Sequence, residues 1–331
     1  MSANLAQASL YESLDGGLRW SKLQTNFTVF NSASMLTADV GWAAEQIESG
    51  DLYFIKTSDG GKDWTRYFGS QDLAAIGFLN ASDGWRSMTD LPNYEKVLWK
   101  LYRTSDGGQH WTFVLQSRLA ENTATSAPFF LNSQKGFVLD IVGPEWYVLA
   151  TNNGGKSFRR LTKQPLGGAG VSPIGVTFTT PQRGWTLVAS TGAGAGGLNF
   201  LRTSTNGGKS WRERTELTTL ATAEQFDSLS AKKGYVLAPI RAITGQSAIT
   251  PVGTKLYQTI NGGRSSRLID QSEGPTLTNL VFVSRRKGFA TAGSRLFETQ
   301  DGGQRWHFIY RNPGLDFQSI RSLNRLSRLS Q

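Results

Sequence analysis

Cysteine is absent, and histidine nearly so: the 331 residues include only His110 and His307. Disulfides, thiolate nucleophiles, iron–sulfur clusters and cysteine-ligated zinc are thereby excluded, and two histidines leave little for a histidine zinc site. Charge is scarce as well. Charged residues make up 18% of the chain, below the roughly 25% of an average soluble domain. No apolar run approaches the roughly 18 residues of a membrane span. The opening Met1-Ser2-Ala3-Asn4-Leu5 has no basic segment leading into an apolar stretch, so no signal peptide is expected in this chain. There is no G-x-S-x-G segment and no P-loop. The GAGAGG run at 192–197 has the outline of a dinucleotide fingerprint, but no helix pattern follows it, and it reads as a loop.

What is present in quantity is glycine, at 37 residues, and aromatic side chains, with 10 Trp, 18 Phe and 9 Tyr. That aromatic content can bury enough surface to offset chain entropy, which excludes disorder. The net charge is +10, with 35 Lys and Arg against 25 Asp and Glu, a balance that favours acidic partners.

The glycines are not scattered. Ser58-Asp59-Gly60-Gly61-Lys62-Asp63-Trp64 recurs at Ser105 to Trp111, Asn152 to Phe158, Thr205 to Trp211, Ile260 to Ser266 and Gln300 to Trp306, with a first copy from Ser13 to Trp20. The Asp or Asn positions 15, 59, 106, 153, 206, 261 and 301 are 40 to 55 residues apart. Asp-Gly and Asn-Gly mark hairpin turns, because such turns need positive φ and a side chain able to bond its own backbone. Runs such as Leu52 to Thr57 lead into the boxes as strands. A second signature, glycine plus an aromatic, lies between boxes at Gly41-Trp42, Gly84-Trp85, Gly136-Phe137, Gly184-Trp185, Gly234-Tyr235 and Gly288-Phe289. Each unit therefore reads as four strands, A to D, with the box as the C–D turn. Ser266 stands where the other boxes have an aromatic, which marks that unit as the least well packed.

Four-stranded units at this period predict an all-β chain, a β-propeller forming one domain over 1–331. Residues 2–17 align without gaps to 288–303, and Phe317 to Asn324 matches Phe30 to Thr37. The expectation is seven blades of four antiparallel strands, the ring closed by N-terminal strands B–D pairing with a C-terminal strand A.

The boxes resemble the Asp-box (BNR) repeat, and the combined grammar more closely resembles the photosystem II stability/assembly factor-like family. That resemblance covers essentially the whole chain. It implies a single seven-bladed propeller, exported or lumenal, that binds assembly partners without doing chemistry. Sialidases resemble the chain less, because it has no Arg-Ile-Pro segment; xyloglucan hydrolases would need a second ring, and sortilin-type domains a cysteine-rich module.

The resemblance implies that the box carboxylates Asp15, Asp59, Asp106 and Asp301 are structural, and turn capping is their own chemistry too. His110 and His307 flank box aromatics and read as surface residues. A glycosidase would need two opposed carboxylates, and on the end away from the boxes the candidates are Glu45, Glu48, Asp51, Asp90, Glu95, Asp140 and Glu145, with no spacing logic among them. The cations are better organised. Lys135, Arg183, Lys232, Lys233, Arg285, Arg286 and Lys287 precede the glycine–aromatic pairs, while Arg19, Lys62, Lys156, Lys209, Arg264 and Arg305 sit in the boxes. In a four-stranded meander the A–B and C–D turns emerge at one end, so these thirteen residues form the expected partner-binding rim. The expected function is a non-enzymatic, monomeric scaffold that takes an acidic protein segment or other polyanion and needs no cofactor or metal. Nucleic acid is set aside for want of a recognised module. The alternative is a glycoside hydrolase or carbohydrate-binding propeller using the opposite face.

Overall fold

A computed structural model of the chain describes residues 11–15, 19–23, 29–47, 51–70, 73–93, 96–119, 128–142, 145–161, 164–165, 171–190, 198–218, 225–244, 248–272 and 274–311. Among them every regular element is a strand, and all pairing is antiparallel between chain neighbours. Six sheets of four strands follow one another: sheet I at 29–70, II at 73–119, III at 129–165, IV at 171–218, V at 225–272 and VI at 278–311. In sheet III the fourth strand comes in two pieces, Arg159–Arg160 and Gln164–Pro165, both paired with Glu145–Thr151. Ahead of sheet I, the two-residue strands Tyr11–Glu12 and Ser21–Lys22 pair with each other. The chain divides into two compact units, the first built from sheets I, II and most of III, the second from IV, V and VI.

The expected seven blades are corrected by this topology. Six sheets have four strands, the N-terminal element is a two-stranded hairpin, and among the described residues no sheet joins strands from the two ends of the chain. The closing strand expected at Phe317 to Asn324, like the loop at 192–197, lies outside the described residues. The physical reason is visible in the six sheets that do form. Their second strands open on glycine because a side chain from the end of the first strand lies across it. Phe78 covers Gly84, Phe130 covers Gly136, Phe178 covers Gly184 and Phe282 covers Gly288; a Cβ at Gly84 or Gly136 would lie 2.5 Å from the ring. The stretch aligned at the N-terminus has Ser2-Ala3 at that point. A match of strand pattern without the glycine–aromatic pair therefore lacks the feature that the six sheets share.

In four of the sheets the aromatic after the glycine reaches the next sheet. In unit 1, Trp42 of sheet I stacks on Phe78 of sheet II with centroids 3.7 Å apart, and Trp85 of sheet II stacks on Phe130 of sheet III at 3.7 Å. In unit 2, Tyr235 of sheet V stacks on Phe282 of sheet VI at 3.6 Å. The box aromatic supplies a third ring, edge-on: Trp111 to Phe78, Phe158 to Phe130 and Trp306 to Phe282. Edge contacts of this kind add about 0.5–1.5 kcal/mol per pair beyond burial. Sheet V, with Ser266 in place of the third ring, has its pair Trp185–Phe226 at 5.5 Å and tilted by 36°. The stack opens where one ring is missing.

These contacts predict which glycines are fixed. Gly155 has φ of +77°, and a Cβ there would strike Trp85 and Phe130, whereas a Cβ on Gly77 meets nothing within 4 Å. Gly155→Ala should lose about 2–4 kcal/mol of unfolding free energy from left-handed strain and overpacking together, with Gly77→Ala close to neutral. Denaturant midpoints of the two variants measure the difference; equal midpoints contradict the packing account.

Candidate functional site

In each of the six sheets the A–B turn and the box turn share one end and are tied by a backbone hydrogen bond. Gly60 N donates to Asp39 O at 2.8 Å, and the same link runs from Gly107 to Ser82, Gly154 to Gln134, Gly207 to Gln182, Gly262 to Lys232 and Gly302 to Arg286. Inside the box, the strand-end hydroxyl and the Asp or Asn side chain fold the turn around themselves. Thr104 Oγ1 donates to Asp106 Oδ1 at 2.7 Å and accepts from Gly108 N at 2.9 Å, while Asp106 Oδ1 also accepts from His110 N at 3.0 Å. Hydrogen bonds to its charged form, from the His110 amide and then the Thr104 hydroxyl, hold the Asp106 carboxyl well below the usual carboxylate range. Asp59 is lowered in the same way by the Asp63 amide and the Thr57 hydroxyl. The box acids are turn caps, and His110 pairs with Asp106 on the surface.

Three boxes make the same turn without the charge. Asn153, Asn206 and Asn261 accept from the amide four residues on, as Asp106 does, and their Nδ2 groups donate to Ser157, Ser210 and Ser265 at 2.8–2.9 Å. Asparagine needs that serine, and each Asn box has one. The exchange sets the charge of the turn ends. In unit 1 the turns hold Asp39, Asp59, Asp63, Asp83 and Asp106 beside Lys62, Lys135 and Lys156, and Asp83 is salt-bridged to Arg103. In unit 2 the turns hold Arg183, Lys209, Lys232, Lys233, Arg264, Arg285, Arg286, Lys287 and Arg305 against the single acid Asp301. Arg19 lies in the N-terminal hairpin, 3.7 Å from Asp15.

The turn ends of unit 2 adjoin. Lys233 Nζ and Tyr235 Oη both donate to Arg285 O, at 3.0 and 3.3 Å, which joins sheet V to sheet VI. A Cβ on Gly263 in the sheet V box would touch Trp185 of sheet IV. Burial, and Arg285 nearby, lower the Lys233 pKa. Not all thirteen expected residues are equally available. Ten are exposed, but Lys135, Lys233 and Lys287 are half-buried, each lying over the ring two residues on. Lys287 is also bonded to Glu298 at 2.7 Å, a pairing across neighbouring strands that the sequence reading missed.

At the other end, the carboxylate candidates separate. Glu45 is buried and accepts two hydrogen bonds from Arg66, at 2.8 and 2.9 Å. Asp140 is equally buried and bonded to Arg160 at 2.8 Å. Arg66 and Arg160 lie against Tyr53 and Tyr147 respectively. The two sets are equivalent: each acid lies four residues after the glycine of its second strand, and each arginine two residues after its box aromatic. That common offset was the available signal. Glu145 is half-buried on the third strand of sheet III and Asp51 precedes the third strand of sheet I; the Asp90 backbone pairs with Leu98, and Glu48 and Glu95 lie outside the described residues. Among the described residues no group of three acids or histidines could hold a metal. An open depression near the B–C turn of sheet VI, lined by Pro275, Thr276, Ala292, Gly293, Ser294 and Arg295, contains no carboxylate.

Consecutive four-stranded antiparallel sheets with this packing define a β-propeller-like fold. No family model matches the chain, and no curated protein sequence matches it. Solved structures do. YCF48 bound to a D1 peptide is similar at 16% identity and a TM-score of 0.53, over 84% of this chain and 81% of that one. The GH74 xyloglucanase from Xanthomonas campestris is similar at 13% and 0.51, over 86% of this chain, which spans about half (48%) of the enzyme. A putative 6-phosphogluconolactonase from Bacteroides uniformis is similar at 8% and 0.60, over 93% and 92%. The likeness is one of fold, shared by a peptide-bound protein and by sugar-processing enzymes, and it replaces the expected membership of a seven-bladed assembly-factor family.

Two outcomes follow from the site's geometry. Because the Asp106 pKa is lowered on folding, its contribution is complete above the ordinary value of 3.8 and disappears as pH falls through the lowered one. Asp106→Asn with His110→Ser, which rebuilds the asparagine box, should leave stability at pH 7 nearly unchanged and make the loss between pH 4 and pH 2 shallower. Unfolding curves at neutral and acid pH compare the two proteins, and parallel acid losses would sink the idea. Separately, Glu45→Gln strips the partner from Arg66 and should lower stability by about 2 kcal/mol, read as a shift in thermal midpoint.

Proposed function

We propose that the chain is a non-enzymatic binding protein that presents the turn end of unit 2 to an acidic protein segment. The observation that carries this is the row of cations there: nine basic residues against Asp301 in the turns, of which Lys287 is paired with Glu298, with two of the three boxes switched to asparagine. A surface of one sign steers an oppositely charged partner and gives salt-sensitive affinity more than tight individual pairs. The fold likeness to a protein with a bound peptide supports the reading. An extracytoplasmic location belongs to the same proposal.

The second reading, carbohydrate binding or cleavage, is favoured by the sugar-processing enzymes that share the fold, among them two GH74 proteins. Against cleavage stands the placing of Glu45 and Asp140 in separate sheets, each in an ion pair of its own, with Arg66 and Arg160 respectively. Hydrolysis of a β-glucan, abolished by changing Asp51 or Glu145, would establish it.

Reversing Arg183, Lys232, Arg264 and Arg285 to glutamate should weaken capture of an acidic peptide by about tenfold or more and flatten its salt dependence. Reversing Lys62 and Lys156 in unit 1 should change binding far less. Equal effects of the two sets would remove unit 2 as the site.

A further inference from the structure

Among the box turns of unit 2 one exposed side chain is apolar. The residue between the strand-end hydroxyl and the Asp or Asn is polar in five of the six sheets: Ser58, Ser105, Asn152, Thr205 and Gln300. In sheet V it is Ile260, and 67% of its surface is exposed. Its own box supplies Arg264, and the A–B turn tied to that box through the Gly262–Lys232 bond supplies Lys232. The Lys233–Arg285 bond brings the sheet VI turn, with Arg285 and Arg286, to the same end. The N-terminal hairpin has a comparably exposed Leu14, but its flanking charges, Asp15 and Arg19, pair with each other. At Ile260 an exposed apolar side chain stands in a turn beside Lys232, Arg264, Arg285 and Arg286, none of which forms an ion pair among the described residues.

An isolated exposed apolar residue is ordinary. One set on a turn that adjoins turns of single sign has the layout of a binding hot spot, in which a desolvated apolar contact is rimmed by charge. Resting on the reading above, we infer that Ile260 is the apolar anchor of the unit 2 surface, and that the partner is an acidic peptide segment carrying one large apolar side chain between its carboxylates. The cations bring such a segment in; Ile260 gives register, because a purely polar acidic chain gains nothing by meeting it.

The test compares two short Asp- and Glu-rich peptides, one with a central leucine and a twin with serine there, by fluorescence anisotropy at fixed salt. The leucine peptide should bind the wild-type chain about tenfold more tightly, the scale of one well-buried apolar contact. Ile260→Ser should bring the two peptides within twofold of each other by weakening the leucine peptide alone, and Ile260→Val should keep most of the preference. Serine already occupies the matching position at 58 and 105, so the variant should fold, which its unfolding curve checks. A wild-type chain that binds both peptides alike, or a preference that survives Ile260→Ser, overturns the anchor while leaving the cationic surface in place. If neither peptide binds, both the anchor and the cationic surface are overturned. A heparin fragment that displaces the leucine peptide as well, charge for charge, as the peptide itself, and equally well after Ile260→Ser, makes the surface a general polyanion site and overturns the proposal.

Discussion

A ring laid over a backbone position that has no side chain organises this molecule. Because Phe78, Phe130, Phe178 and Phe282 occupy the space a Cβ would need, the following strand must open on glycine. Because the ring is already in place, the aromatic of the preceding sheet can stack on it and the box aromatic can close the edge. The hydrogen-bonded box adds direction to this contact. In unit 1, Trp42 donates from its indole to Gly107 O in the neighbouring box, so the apolar stack and the polar turn are fixed by one side chain. Packing at interior density leaves no freedom to slide one sheet along another without breaking both.

This arrangement separates shape from charge. The turn geometry is set by a hydroxyl, a side-chain oxygen and two glycines with positive φ, and either aspartate or asparagine supplies the oxygen. The positions between these fixed points are free to vary. Unit 1 fills them with both signs and unit 2 almost entirely with Lys and Arg, on turns joined in the same way. The functional reading rests on that contrast, since a uniform basic surface would be expected of any chain with a net charge of +10.

Much of this was legible in the sequence, because the features concerned are local. The boxes, the glycine–aromatic pairs and strands such as Leu52–Thr57 follow from turn chemistry and alternation within a few residues. The number of four-stranded sheets was misread because the two ends of the chain were matched on strand pattern, and Ser2-Ala3 lacks the glycine that the stacked rings require. The pairing of Lys287 with Glu298 and of Asp140 with Arg160 depends on cross-strand register, which composition does not encode. The repeat itself encodes it, however: the equivalent offsets of Glu45 with Arg66 and Asp140 with Arg160 become visible once the units are superimposed by their boxes. Ile260 needed no structure to find, only a comparison of the one box position where polarity lapses.

The asparagine boxes bear on how the protein ages. Asn-Gly is the dipeptide most prone to spontaneous deamidation, in which the glycine nitrogen attacks the asparagine side-chain carbonyl and a new carboxylate results. Asn153, Asn206 and Asn261 are all followed by glycine. Yet each of those glycine nitrogens donates to a carbonyl of the A–B turn, and each side-chain oxygen and amide is held by the residue four positions on. Nucleophile and electrophile are therefore both engaged elsewhere for as long as the turn stays folded. The bonds that let asparagine stand in for aspartate also keep it from becoming aspartate, and so keep the electrostatic contrast between the two units from eroding with time.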